Sequence, residues 1–173
     1  MQFLSAIAFE FYAIAGRHAS VRRALKHYFQ TYEEVLVRLF RLRFSPDRQD
    51  EDAAASQVRA IEQALDRVPN ASEDRVLRQL LALLLATLRT NFWRTGLGTT
   101  GAEGSRRSFI SFKFDPKRIP ALPEPRPMFE VFVYSTRFEG VHLRGGRVAR
   151  GGLRWSDRPE DFRTEVLGLV KAQ

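Results

Sequence analysis

The sequence predicts an α+β chain that is helical to about residue 95 and then turns to strands and a terminal helix. Three observations carry that expectation. Upstream of residue 95, apolar residues recur every three or four positions, the period of a helix face. Downstream, Ser108 to Phe114 alternates and Met128 to Tyr134 is a short apolar run, both strand patterns. Between these regimes lies a stretch rich in glycine and proline. The 173 residues are 44% apolar, which excludes wholesale disorder. A chain of this size hides roughly 70% of its unfolded surface.

The elements are predicted in order. Residues 3 to 15 form a short helix that Gly16 can stop. Ser20 caps a second helix to about Phe44, with Leu36, Leu39 and Phe40 on its apolar face and Arg38 and Arg41 off it. Ser45-Pro46 ends it. After an acidic, alanine-rich loop over residues 47 to 55, a third helix carries Val58, Ile61, Leu65 and Val68, and Pro69 stops it. Asn70 and Glu73 have capping-box spacing for a fourth helix running to about Phe92, with Ser72 as an alternative cap. That helix has leucine on several faces, as a core helix or a packing surface would.

Gly96 to Gly104 reads as a flexible connector. Ile110, Phe112 and Phe114 share one side of a strand, and five prolines between residues 115 and 127 make a stiff, extended connection. Phe129, Val131, Phe132 and Val133 form a buried strand, and the glycine-interrupted Val141 to Arg150 a second, paired one. Asp157, with Glu160 as box partner, caps a last helix whose stripe is Phe162, Val166, Leu169 and Val170. The organisation is a helical region 1–95, a connector 96–127 with one strand, and a β-rich segment 128–173. The last helix reaches Gln173 with no terminal cap signal, where a βαβ unit would next supply a strand, so the chain reads as cut off.

Composition excludes several chemistries. Without cysteine there is no disulfide, thiolate zinc site or cysteine nucleophile. His18, His27 and His142 are too scattered for a metal cluster, and no metal-binding residue is assigned. No apolar run approaches the ~20 residues of a membrane span. Phe3 to Ala15 ends in a signal-peptidase-like Ala13-Ile14-Ala15, but Glu10 interrupts it and no cation precedes it, so a cytoplasmic protein is expected. The net charge of +8 invites a nucleic-acid reading. Residues 128–173, however, hold 8 Lys+Arg against 6 Asp+Glu, so most of the excess is spread over the helices. Two Arg-Gly-Gly triplets between apolar patterns do not make a long, repetitive RNA-binding segment, and no nucleic-acid partner is expected.

The informative stretch runs from Arg144 to Asp157, with Gly145-Gly146 and Gly151-Gly152 among Arg144, Arg147, Arg150 and Arg154. Paired glycines allow close backbone approach, and arginine forks fit carboxylate or phosphate. On spacing alone a glycine-rich hairpin with solvated arginines is the preferred reading. No Gly-x-Gly-x-x-Gly follows a strand, and neither a P-loop nor a nucleophile elbow is present. His142 reads as a structural histidine, Trp155 as a packing anchor and Lys171 as solvated.

Four segments together carry a resemblance: Phe129-Glu130-Val131-Phe132-Val133-Tyr134-Ser135, Glu139-Gly140-Val141-His142-Leu143-Arg144-Gly145-Gly146, Arg150-Gly151-Gly152-Leu153-Arg154-Trp155-Ser156-Asp157-Arg158, and Asp161 to Gln173. They closely resemble the large NAD-specific glutamate dehydrogenases of bacteria. Glu73 to Arg78, Arg89 to Phe92 and Ser111 to Lys113 resemble the helical region before the catalytic domain of that family. Thr136 departs from the proline that members often carry there.

The resemblance implies strands and a helix that begin an α/β catalytic domain. It implies oxidative deamination of L-glutamate to 2-oxoglutarate and ammonia in amino-acid catabolism, with NAD as acceptor, by a cytoplasmic homo-oligomer. Smaller glutamate dehydrogenases carry a Lys-Gly-Gly-Ile-Arg element whose lysine helps to hold a substrate carboxylate. Arg150-Gly151-Gly152-Leu153-Arg154 looks like its counterpart. Arg150 is thereby the substrate-carboxylate candidate, with Gly151 and Gly152 allowing close passage and Arg154 supporting. The family's catalytic lysine, in a Gly-Ala-Lys-Gly-Gly stretch, is absent from this sequence, as is a dinucleotide fingerprint. No catalytic or cofactor-binding residue is therefore assigned, NAD is expected to bind in a domain outside the chain, and the isolated chain is expected to be inactive. The alternative is a non-enzymatic helical adaptor or assembly module whose basic face binds a protein or nucleic acid.

Overall fold

The computed structural model describes residues 35–94, 109–122, 124–135, 137–155 and 162–171. The helix expected over residues 3–15, the Ser20 cap, the connector from Gly96 to Gly104 and the Asp157/Glu160 cap lie outside them. Helices come first, then a five-stranded antiparallel sheet and a terminal helix, the α+β order that the sequence predicts. The chain divides into two compact units, Met1–Leu84 and Leu85–Gln173.

In the first unit, helix α1 is described over residues 35–44 and buries Leu36, Leu39 and Phe40. Helix α2 (Glu51–Leu65) starts earlier than expected. Asp50 caps it, accepting a hydrogen bond from Ala53 N at 2.9 Å, and Glu51 and Asp52 complement the positive end of the helix dipole. Ile61 and Leu65 are its core contacts. Helix α3 (Ala71–Ala86) follows directly on Asn70 and buries Leu77, Leu80, Leu81, Leu83 and Leu84. Arg78 bridges Asp66, after α2, and Asp74, each at 2.8 Å, and the Asp66 hydrogen bond raises its pKa further above the ordinary arginine value.

Helix α3 stops at Ala86 and not near Phe92. The next residues, Thr87–Thr90, form strand β1, and Thr87 pairs with Phe114 of β2 (Phe109–Phe114). β-Branched threonines favour the extended state, and a sheet edge was available to pair with them. Leu88, which continues the leucine periodicity, is accordingly 42% exposed. Beyond β1, Asn91 prolongs the ladder with its side chain, accepting from Ser111 N at 2.7 Å and donating to Phe109 O at 3.4 Å.

The proline-rich connection is not simply extended. It holds a 3-10 turn at Pro116–Arg118, capped by Asp115, and Arg126 donates to the carbonyls of Leu122, Lys117 and Pro120. One guanidinium thus satisfies three backbone acceptors in a segment where proline has removed donors.

Strands β3 (Phe129–Ser135), β4 (Glu139–Gly145) and β5 (Val148–Arg154) complete the meander in the order β1-β2-β3-β4-β5. Val141 to Arg150 is thus two strands and a turn, not one strand. Gly145 pairs with Val148, leaving the two-residue loop Gly146-Arg147, and Gly146 takes φ 74° there, which tight hairpin turns require. β3 is half-buried: Glu130, Phe132 and Ser135 are buried, while Phe129, Val131 and Val133 are partly exposed.

Cross-strand partners share a face, so the register sorts every side chain. One face carries Phe112, Phe114, Glu130, Phe132, Val141, Leu143, Gly145, Val148, Arg150, Gly152 and Arg154. The terminal helix α4 (Phe162–Lys171) packs on this face over β4 and β5. It buries Arg163, Val166 and Leu167, whereas Leu169 is 57% exposed. The inward side is therefore Phe162, Arg163, Val166, Leu167 and Val170: of the expected stripe only Leu169 turns outward, and a buried arginine joins the rest.

Leu143 and Phe112 are fully enclosed in this core. Leu143→Ala is expected to cost about 2–5 kcal/mol of unfolding free energy, read from urea denaturation, with Val141→Ala, which removes fewer carbons, costing less.

Candidate functional site

Of the four arginines that the sequence singled out, Arg150 and Arg154 lie on the face of β4–β5 beneath α4, whereas Arg144 is on the opposite face and Arg147 in the hairpin loop. Arg150 lies on β5 opposite Leu143, and Leu143 lies opposite Glu130 on β3, so Glu130, Leu143 and Arg150 form one row across the sheet. Two rows of residues towards the far end of the hairpin, Glu139 pairs with Arg154.

These cations have different partners. Arg154 donates to Glu139 Oε2 at 2.8 Å with both side chains mostly covered, and its guanidinium stands 5.3 Å over the Phe162 ring. Arg163, in the first turn of α4, donates through Nε and Nη2 into the Glu130 carboxylate at 2.9–3.0 Å. That pair is buried, with Glu130 3% and Arg163 8% exposed. Arg150 is only partly buried, and its hydrogen bond among the described residues is to the adjacent Ala149 carbonyl at 3.3 Å. Among the described residues it holds no carboxylate.

Such a group can accept an anion without first breaking an ion pair. A guanidinium offers a planar fork that matches a carboxylate in two bonds. Arg154 and Arg163 would have to abandon desolvated partners to do the same.

The glycines have internal reasons to be glycine. A Cβ on Gly152 would stand 3.2 Å from Phe162 Cζ, and one on Gly151 2.9 Å from the Val141 carbonyl oxygen. Gly152 seats the first turn of α4, and Gly151, on the opposite face, lies tight against β4. The close approach expected of both is thus made by the chain's own atoms. On that opposite face Gly140 leaves room for Leu153, which is 53% exposed, to lean across β4 towards Val133.

Other expectations need correction. Trp155 is 71% exposed, with Phe138 6.3 Å away, so it is not a buried packing anchor. His142 is an exposed residue in the middle of β4. Lys171 is exposed, as expected. Glu130 and Arg163 were missed. The signal available was a lone acid inside the apolar run Phe129–Tyr134 and a lone arginine at the head of an apolar helical stripe, with complementary charges.

The described elements do not fit a dinucleotide. The sheet is an antiparallel meander, whereas dinucleotide sites sit at the carboxyl ends of parallel strands joined by helical crossovers. Among the described residues no group of three or more His, Asp or Glu side chains gathers as a metal site would require, and no helix is long and apolar enough to cross a membrane.

Comparison with known proteins gives this geometry a context. Residues 60–173 match the family model described as the bacterial NAD-glutamate dehydrogenase catalytic domain. The chain belongs to this family. The NAD-specific glutamate dehydrogenase of Pseudomonas aeruginosa is 57% identical over 145 residues, and that of Mycobacterium tuberculosis 49% over 144, each covering 80% of the chain. A Neurospora crassa relative of the same name is 29% identical over 100 residues, 57% of the chain. The chain spans about 8% of the length of the two bacterial relatives. The family match takes in the end of α2, all of α3 and β1 to β5.

The glycine contacts set an order of sensitivity. Gly151→Ala, which meets backbone, is expected to destabilise more than Gly152→Ala, which meets a ring that can give, each within about 1–3 kcal/mol. Chemical denaturation of the two variants checks the order.

Proposed function

We propose that this chain is the substrate-carboxylate-binding part of an NAD-dependent glutamate dehydrogenase, the enzyme that oxidatively deaminates L-glutamate to 2-oxoglutarate and ammonia. One observation carries the reading. Of Arg150 and Arg154 on this sheet face and Arg163 on the helix packed against it, Arg154 and Arg163 are committed to Glu139 and Glu130, and Arg150 holds no carboxylate among the described residues. Arg150 is also the residue that stands where the smaller enzymes carry their carboxylate-holding lysine.

In this reading Arg150 forks onto one carboxylate of glutamate or 2-oxoglutarate. Gly151 and Gly152 keep the strand beside it thin, and Arg154 fixes the end of β5 against Phe162 without touching substrate. The oriented substrate is presented to a nicotinamide held by a part of the enzyme outside this chain, where NAD supplies the hydride acceptor. The lysine that assists proton transfer is likewise contributed from outside it. The enzyme is a cytoplasmic homo-oligomer whose partners are glutamate and 2-oxoglutarate, with neither nucleic acid nor membrane among them.

The test is a chimera in which residues 60–173 replace the matching segment of the Pseudomonas aeruginosa relative. NADH formation from glutamate is expected in the chimera and not in purified 1–173. In the chimera, Arg150→Ala is expected to raise the glutamate KM by an amount equivalent to roughly 2–5 kcal/mol, as loss of a buried charge pair does, with Arg150→Lys recovering much of it. An unchanged KM would assign Arg150 to structure.

A further inference from the structure

We infer that the buried Glu130–Arg163 pair is a positioning device: it fixes the rotation and axial register of α4 on the β4–β5 hairpin, and with them the flank of α4 beside Arg150. Only the last step rests on reading Arg150 as the carboxylate receptor.

Apart from the Arg154 guanidinium over the Phe162 ring, the contacts that seat α4 on the hairpin are apolar. Val166, Leu167 and Val170 face a hairpin floored partly by glycine. Val170 Cγ1 stands 3.1 Å from where a Gly145 Cβ would be, and the Phe162 ring 3.2 Å from that of Gly152. Such shallow seats accept a ten-residue helix but resist rotation and sliding weakly, because apolar surface stays buried in either position.

The ion pair behaves differently. Three hydrogen bonds at 2.9–3.0 Å join one planar guanidinium to one planar carboxylate, so a small rotation of α4 strains all three together. Its location also matters. Arg163 is in the first turn of α4, and Glu130 is in the same cross-strand row as Leu143 and Arg150. The helix is therefore indexed to the row that holds the candidate receptor.

Stability is a poor explanation for the pair. Two charges taken out of water lose about as much solvation as they regain from each other, and well-packed apolar replacements are often neutral or stabilising. Directional specificity is what the pair adds.

The test uses the whole chain and does not depend on activity. In Glu130→Leu/Arg163→Met the chain is expected to keep its cooperative thermal unfolding. The nuclear Overhauser contacts from the Phe162 ring to Gly152 Hα and from the Val170 methyls to Gly145 Hα should broaden or vanish. Arg163→Lys, which keeps the charge and loses the fork, should weaken the same contacts if the double variant does not fold. Unchanged contacts in either folded variant overturn the proposal, and so does failure of both to fold, which would make the pair a stability element.

In the chimera the double variant should raise the glutamate KM on the order of tenfold or more, with kcat much less affected, as misplacement of a binding group does. Shifted contacts with an unchanged KM would overturn the link to Arg150. An unmodified chimera without glutamate-dependent NAD reduction would count against the dehydrogenase reading, and the contacts would still decide the register.

Discussion

The pairing register of β4 and β5 is the constraint from which the rest of the sheet face follows. The two-residue loop Gly146-Arg147 closes the hairpin and matches Leu143 with Arg150, Val141 with Gly152 and Glu139 with Arg154. Side chains alternate between faces along a strand, so a slip of one residue would move the whole set. Arg150 and Arg154 would turn to the face without α4, and Leu153 would meet Phe162 where Gly152 now lies. Gly146 at φ 74° is small in mass but decides which arginines share a face with Glu130 and Glu139.

Given that register, charge pairing sorts the arginines by role. Desolvated carboxylates hold Arg154 and Arg163, and each pair ties a different part of the sheet to the head of α4. Removing either partner of such a pair leaves a buried charge exposed to no water, which costs far more than the pair contributes. Arg150 carries no such tie among the described residues, and its side chain is partly open. Arginines held in ion pairs are thus told apart from Arg150 by their partners, which the sequence around them does not show.

Much of this was legible in the sequence because it depends on local pattern. The Ile110-Phe112-Phe114 alternation, the apolar run at β3 and the helical spacing of Leu36, Leu39 and Phe40 each report a period that burial enforces. The failures were tertiary. Thr87–Thr90 continued a leucine-rich helix in pattern, yet pairing with Phe112 and Phe114 outweighed helix propensity. Leu169 was given to the inward stripe of the last helix because it is apolar. Arg163 holds a place there because Glu130, 33 residues away, neutralises it. The doubled glycines were read as letting the backbone approach a ligand or another backbone, and what a Cβ would meet at Gly152 and Gly151 is the Phe162 ring and the β4 backbone. The family was legible because its motifs span strand, turn and helix together, which no single spacing does.

The central claim is that Arg150 receives the substrate carboxylate while the two buried pairs stay closed. A crystal structure of the chimeric dehydrogenase with bound 2-oxoglutarate tests it most directly. The account requires a carboxylate of the ligand within hydrogen-bond distance of the Arg150 guanidinium, with Glu130–Arg163 and Glu139–Arg154 intact. A carboxylate seated on Arg154 or Arg163, or an Arg150 side chain turned away from the ligand, would contradict it.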